Sequence, residues 1–213
     1  MMKLYGYFQS SAAFRVRIAL HLKTLPYENA TVDLLKGDHR TPEFERVNPQ
    51  QAIPALVDGD KTLVQSLSII EYLDEAYPEP RLLPSTPDGR ARVRGLAQLV
   101  ACDIHPLNNL RVLKYLSKKI GLDKDQRNAW YRHWIEEGFR AFEAMLSRSR
   151  ETGTFCHGNQ VTMADICLVP QVFNAKRYDL DLSPYPTLMR IFENLMKLSA
   201  FDTAQPSKQP DAR

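Results

Sequence analysis

Two adjacent hydroxyls, Ser10 and Ser11, stand just ahead of Ala12-Ala13-Phe14-Arg15, at the point of the chain best suited to act on an ionised group. A serine oxygen can cap a helix by accepting a first-turn amide. Its proton can equally go to an anion held at the same place, where free amides and the helix dipole favour negative charge. A thiolate gains the same help, and thiol pKa values fall at helix N-termini. Two readings of Ser10-Ser11 stand side by side: a capped helix without chemistry, or a thiol-activating hydroxyl facing a bound cofactor.

The elements that must position these serines are legible on either side. Lys3-Leu4-Tyr5-Gly6-Tyr7 alternates and is rich in aromatic residues, as a short strand would be. Phe14, Ile18 and Leu22, with Ala19 beside them, form one buried helix face. Pro26 stops that helix, and Tyr27 to Asp33 has the alternation of a second strand, so a right-handed parallel βαβ unit is expected. Lys36 to Arg40 is a polar loop, and Thr41-Pro42 reads as a cap with proline at the first helical position. Asp58-Gly59 between two apolar runs predicts a hairpin. Pro54 must then open a strand or lie on an edge, at a place where a cis bond could be held. Ser66 is expected to cap a third helix that buries Ile69, Ile70, Leu73 and Tyr77.

Tyr77 to Pro87 holds Pro78, Pro80, Pro84 and Pro87, which is linker chemistry. The expected organisation is a first domain over 1–80, a linker over 81–86 and an all-helical second domain over 87–213. In that second part, Arg90 to Lys119 reads as one long helix or two, interrupted at Pro106. A further helix runs from Asp125 to Arg148 and another from Ile166 to Tyr178 with Pro170 inside it. Thr162-Met163-Ala164-Asp165 is a capping box, and Asp165 is expected to be buried, to accept amide hydrogen bonds and to take no part in catalysis. A last helix from about Pro186 to Leu198 precedes a polar tail.

Composition narrows the function classes. Hydrophobic residues make up 44% and charged residues 25%, as in an ordinary soluble protein, and the net charge is +3 with no basic run. Nothing here is a footprint for nucleic acid, and no apolar run suggests a signal peptide or a membrane span. Cys102, Cys156 and Cys167 show no CxxC or zinc spacing, which fits reduced thiols in a cytoplasmic protein.

The layout, together with Ser10-Ser11-x-x-Phe14-Arg15-Val16-Arg17-Ile18-Ala19-Leu20, resembles the zeta class of glutathione transferases, also called the maleylacetoacetate isomerase family. Asn48-Pro49…Ile53-Pro54, Gln65-Ser66, Thr162 to Asp165, Leu168-Val169-Pro170-Gln171 and Gln209-Pro210-Asp211 carry the same resemblance over essentially the whole chain. It implies a thioredoxin-like α/β domain, an all-α domain, and glutathione as cofactor. It further implies a homodimer acting on a small anionic molecule.

Carried over onto this sequence, the resemblance places Ser10, Ser11, Ala12, Ala13, Phe14 and Arg15 around the glutathione sulfur, with Ser10, Ser11 and Arg15 as catalytic residues. The backbone of Ile53, next to Pro54, would pair with the cysteinyl portion, and Gln65 and Ser66 would hold the γ-glutamyl end. His39, and from the helical part His105, Asn109, Leu110 and Arg111, fall near the cofactor. Gln9, Arg111 and Arg177 fall near the substrate. Two positions depart from the family: Ala12 stands where a cysteine is usual, and Gln9 where an arginine is frequent. Ala12 excludes a mechanism that needs a protein thiol at this point.

The implied reaction is cis–trans isomerisation of a maleyl acid, either maleylacetoacetate or maleylpyruvate. The glutathione thiolate adds to the alkene, the new single bond rotates, and elimination returns the trans isomer. Two alternatives stay open. A general transferase or peroxidase acting on small electrophiles would have an apolar pocket. A non-enzymatic binder would show no thiolate.

Overall fold

Strand β1 (Met2–Gly6) buries Leu4 completely and forms the middle of a four-stranded sheet ordered β2-β1-β3-β4. A computed structural model describes every residue, Met1–Arg213. β1 pairs in parallel with β2 (Tyr27–Thr31), with Leu4 opposite Asn29, and antiparallel with β3 (Ala55–Asp58), with Leu4 opposite Leu56. β3 continues into β4 (Lys61–Val64) through a turn at Gly59, whose φ of 62° is the left-handed conformation the Asp-Gly pair anticipates. The Ile53–Pro54 peptide just before β3 is cis. The parallel β1–β2 pair is joined by α1 (Ser11–Leu22), as the sequence predicts.

α1 departs from expectation in one respect. It buries not one face but every residue from Ala13 to Leu20, including Arg15 and Arg17, each 2% exposed. One side packs on α3 (Ser66–Ala76). The side the sequence would leave to solvent is covered by the short helix α9 (Ser199–Thr203). The chain accordingly divides into one unit made of 1–82 together with 196–213, and a second made of 83–195. The expected bounds group 87–213 together; by its packing, 196–213 goes with the first unit, where α9 covers α1.

The end of α1 is fixed by charge. Lys23 is buried, and its Nζ donates to Asp74 Oδ1 at 3.1 Å and to the carbonyls of Tyr77 at 2.6 Å and Pro80 at 2.9 Å. Asp74 also accepts the amide of Leu82 at 2.7 Å, so the proline-rich stretch is laced to α1 and α3. At the other end, a Cβ added to Gly6 would lie 3.3 Å from that of Ala13, which is how closely β1 runs under the start of α1. The small helix α2 (Pro42–Val47) is capped by Thr41 as expected.

The second unit is helical. α4 (Pro87–Gln98) passes into a π-helical turn over Leu99–Ile104 and a 3₁₀ turn over His105–Asn108, so the break expected at Pro106 is present. Then follow α5 (Leu110–Tyr115), a second π turn over Leu116–Ile120, and α6 (Lys124–Ser147). α7 (Met163–Arg177) contains Pro170, and α8 (Pro186–Met196) closes the unit. Gly138 of α6 lets that helix approach the first π turn, since a Cβ there would lie 2.2 Å from Ile104 Cδ1.

Asp165 is fully buried and accepts from the amides of Cys156 and Thr162 and from the Thr162 hydroxyl, each at 2.8 Å. It is the structural carboxylate the capping box predicts. Burial raises its pKa, against the pull of those hydrogen bonds. No helix is long and apolar enough to cross a membrane.

Candidate active site

Ser10 is the N-cap of α1, with φ −71° and ψ 113°. Its Oγ accepts the amide of Ala13 at 3.2 Å, its carbonyl accepts Phe14 N–H at 2.8 Å, and its own amide donates to Tyr7 O at 2.9 Å. A hydroxyl has one proton and two lone pairs. Accepting from Ala13 therefore leaves the Ser10 proton available, so capping and chemistry are not alternatives for this residue. Ser10 is half-buried and Gln9 exposed, whereas Ser11 is the first residue inside the helix and is buried. The two hydroxyls thus occupy different environments.

The second anion-favouring point is the start of α3. Ser66 is its first residue rather than its cap; the cap position is Gln65, which makes no side-chain cap bond. The Ser66 hydroxyl instead accepts from Arg15 Nη1 at 3.2 Å, inside the protein. Arg15, expected beside the sulfur, therefore reaches across to the N-terminus of α3. Gln65 has φ 68° and ψ 117°, a left-handed value that only glycine adopts without strain. Strain of this kind gathers where a ligand is gripped.

Two further residues, Gln50 and Asn48, are not among the expected site residues. Gln65 Nε2 donates to Gln50 Oε1 at 2.9 Å. Asn48, buried, donates to the carbonyl of Ala52 at 2.6 Å and accepts the amide of Gln50 at 3.0 Å, shaping the turn that leads into Ile53 and cis Pro54. The Asn-Pro-Gln-Gln run is the signal that could have pointed to both. His39 lies on the 3₁₀ turn Asp38–Arg40.

Within the helical unit, His105 begins the 3₁₀ turn and Asn109 caps α5, accepting Arg111 N–H at 3.1 Å. The turn is pinned from α6: Trp130 Nε1 donates to Leu107 O at 2.9 Å, and Tyr131 O accepts from Asn108 Nδ2 at 3.0 Å. Arg177 is the last residue of α7 and is exposed. Its guanidinium lies 5.3 Å from the centre of the Tyr178 ring. Tyr131 and Tyr178 stack at 3.6 Å between centroids. Burial pushes the Tyr131 phenol up to about 12, with Arg177 working against that rise.

Beside these residues is a depression of about 300 Å³ lined by Leu110, Leu113, Lys114, Lys118, Arg127 and Tyr178, among others. It has three cationic side chains and no carboxylate in its lining.

None of the three cysteines forms a disulfide. Cys102 is exposed, and Cys156 and Cys167 are buried. Burial, reinforced by Asp165, pushes the Cys156 thiol well above its ordinary value, the opposite of what a nucleophile needs.

Residues 4–81 match the glutathione S-transferase N-terminal domain, and residues 128–196 the glutathione S-transferase C-terminal domain. A probable maleylacetoacetate isomerase of Vibrio cholerae is 52% identical over 211 residues, which cover 98% of this chain and 97% of the relative. The holo structure of a bacterial maleyl pyruvate isomerase, a zeta-class glutathione S-transferase, superposes with a TM-score of 0.97 at 47% identity, covering 99% of this chain and 100% of its own. The maleylacetoacetate isomerase of Methylobacterium extorquens AM1, crystallised with malonate and glutathione, gives a TM-score of 0.94 at 44% identity, with 99% of both chains covered.

Proposed function

Because the chain belongs to the glutathione S-transferase family, and within it resembles the zeta-class isomerases over its whole length, we propose that it is a glutathione-dependent cis–trans isomerase of maleyl acids. The observation that carries this reading furthest is Ser10. Its oxygen is satisfied by Ala13, its proton is left to give, and it stands at the N-terminus of a buried helix. That is a place for a thiolate.

The first unit offers donors suited to a peptidic anion. Ser66 opens α3, where a carboxylate is favoured, and Arg15 adds a guanidinium beside it. Gln65 is held in a conformation its side chain does not favour, and the backbone of Ile53 precedes β3. We assign the γ-glutamyl end of glutathione to Gln65 and Ser66 and the cysteinyl backbone to Ile53. When bound, glutathione supplies a thiolate nucleophile that adds reversibly to the substrate alkene. Ser10 donates its hydroxyl proton to the sulfur as a hydrogen bond, and the α1 dipole adds roughly 0.3–2 kcal/mol in the same direction. Lowering a thiol pKa by about two units requires about 2.7 kcal/mol, so hydroxyl and dipole together are of the right size.

Substrate carboxylates need cations. Arg111 and Arg177 are the assigned partners. With Gln9 in place of an arginine, more of that task falls on the helical unit. The relative crystallised with malonate shows a dicarboxylate accepted by a neighbouring member of the class.

We further assign the protein to the cytoplasm, in keeping with three cysteines that form no disulfide, and to a two-fold dimer, as is usual for the family. Sedimentation at micromolar concentration that returns a 24.4 kDa species would overturn the dimer. The functional test is ultraviolet titration of bound glutathione, then turnover of maleylacetoacetate and maleylpyruvate. An ionised thiol near neutral pH and turnover of at least one maleyl acid are expected. A neutral thiol, or turnover confined to neutral electrophiles, would overturn the reading.

A further inference from the structure

The loop that presents Ser10 is gripped from both sides by groups remote in sequence. On its carbonyl side stands the buried guanidinium of Arg17, which donates from Nη2 to Phe8 O at 3.2 Å and from Nη1 to Tyr7 O at 3.5 Å. The same Tyr7 carbonyl accepts the amide of Ser10. From Nε, Arg17 also donates to Ala204 O at 3.1 Å, which ties the loop to the last segment of the chain. On its amide side, Phe8 N–H donates to Asp211 Oδ2 at 3.0 Å.

That last segment is itself braced. Gln209 Nε2 donates to Thr203 O at 3.0 Å and Gln205 O at 2.8 Å, and Arg213 pairs with Asp33, which follows β2. Asp211 is therefore no free terminal carboxylate. It is an anchored acceptor aimed at a backbone amide two residues before Ser10.

We propose that Asp211, acting with Arg17, is a positioning residue for Ser10: the tail fixes the register of the Tyr7–Ser10 loop and so the direction in which the serine gives its proton. The inference rests on the reading that Ser10 serves the glutathione thiol. A carboxylate-to-amide hydrogen bond is among the stronger kinds, and two guanidinium bonds on the opposite side leave the peptide little freedom. Catalytic groups lose rate steeply when displaced by about 1 Å, so a loosened loop costs turnover before it costs binding.

The experiment uses the full chain with Asp211→Ala and Asp211→Asn, and three readouts. These are hydrogen exchange of the Phe8 amide without glutathione, the ultraviolet titration of bound glutathione, and the separate effects on kcat and KM. Asp211→Ala should speed exchange at Phe8 at least tenfold, raise the thiol pKa and lower kcat about tenfold, with the glutathione KM within twofold. Asp211→Asn keeps an oxygen acceptor of the same shape and should recover most of each loss. Wild-type exchange and thiol pKa in a folded Asp211→Ala protein would overturn the proposal, as would a lower melting temperature with no change in either.

If Asp211→Ala fails to fold, Arg17→Lys and Asp211→Asn replace it. Arg17→Lys leaves one point charge for three carbonyls and must speed the same exchange, or the proposal falls. If the wild-type protein itself shows no thiolate, the Ser10 reading fails and the catalytic half of the proposal goes with it. The Phe8 exchange then decides the positioning half alone.

Discussion

The guanidinium of Arg15 and the hydroxyl of Ser66 meet at 3.2 Å inside the first unit, tying the second turn of α1 to the first residue of α3. Each helix start favours an anion, and one buried cation serves the gap between them.

Arg15→Ala should therefore act on glutathione binding more than on the chemical step. A hydrogen bond to a charged group is worth about 1.5–3 kcal/mol, so glutathione affinity should fall about tenfold to a hundredfold by calorimetry. Arg15→Lys should recover little, because a point charge cannot keep the planar geometry. A normal dissociation constant with lost turnover would return Arg15 to the sulfur.

The two serines should separate cleanly. Ser10→Ala removes a cap, costing about 1 kcal/mol of stability. It should also raise the bound thiol pKa by about two units, which corresponds to about 2.7 kcal/mol. The alkaline shift would appear in the titration and in the rising limb of kcat against pH. Ser11→Ala, buried one position further into α1, should leave the thiolate in place. The reverse result would exchange their roles.

Arg177 is exposed, not the buried charge that a carboxylate partner deep in a pocket would be. Arg177→Ala should lower kcat/KM for a maleyl acid by about 1.5–3 kcal/mol, the scale of a charged hydrogen bond, with glutathione affinity unchanged within twofold. Tyr131→Phe removes a buried phenol that interacts electrostatically with Arg177 and should cost about 0.5–1.5 kcal/mol in the same parameter. Since Tyr131 stays protonated up to about pH 12, its contribution should not vary with pH between 6 and 9. Weakened glutathione binding with normal turnover in Arg177→Ala would place the substrate elsewhere.

Acid should release the tail through Asp33. Burial raises its pKa, but the amides of Lys36 and Leu35 and the Arg213 side chain outweigh burial and hold it below the ordinary 3.8. A carboxylate depressed in the folded state adds stability above its unfolded pKa, and that stability is lost as pH falls through the folded value. Wild-type melting temperature should drop below about pH 4. Asp33→Asn should melt lower at neutral pH and show a flatter acid limb. Parallel curves would exclude Asp33 as the titrating group.

Turnover should need no protein thiol. A variant with Cys102, Cys156 and Cys167 all changed to serine should keep wild-type kcat in its folded fraction. Two of those positions are buried, so some loss of melting temperature is expected. Folded but inactive protein would show that glutathione does not supply the only reacting sulfur.

Much of this was legible before any coordinates. The Asp58-Gly59 turn, the Thr41-Pro42 cap, the Thr162–Asp165 box and the break at Pro106 are local features, set by residues within a few positions of one another. Ser10 as a cap is local too. What sequence could not supply was long-range. Arg15 meets Ser66 across 51 positions, and Phe8 meets Asp211 across 203, and no periodicity records either pairing. The all-round burial of α1 was missed for the same reason, since its outer cover comes from the far end of the chain. Gln65 is an expected site residue, but its positive φ has no compositional signal, because glutamine is not a residue that announces such a conformation.

The discontinuity of the first unit has a consequence for biosynthesis. Residues 1–82 leave the ribosome long before 196–213, and the whole helical unit is made in between. At about 5–20 residues per second, the early segment waits several seconds with one side of α1 uncovered and Arg17 lacking the Ala204 carbonyl. A nascent chain paused anywhere in the helical unit would carry Ser10 on an unanchored loop. Full activity should therefore appear only once the 196–213 segment docks on α1.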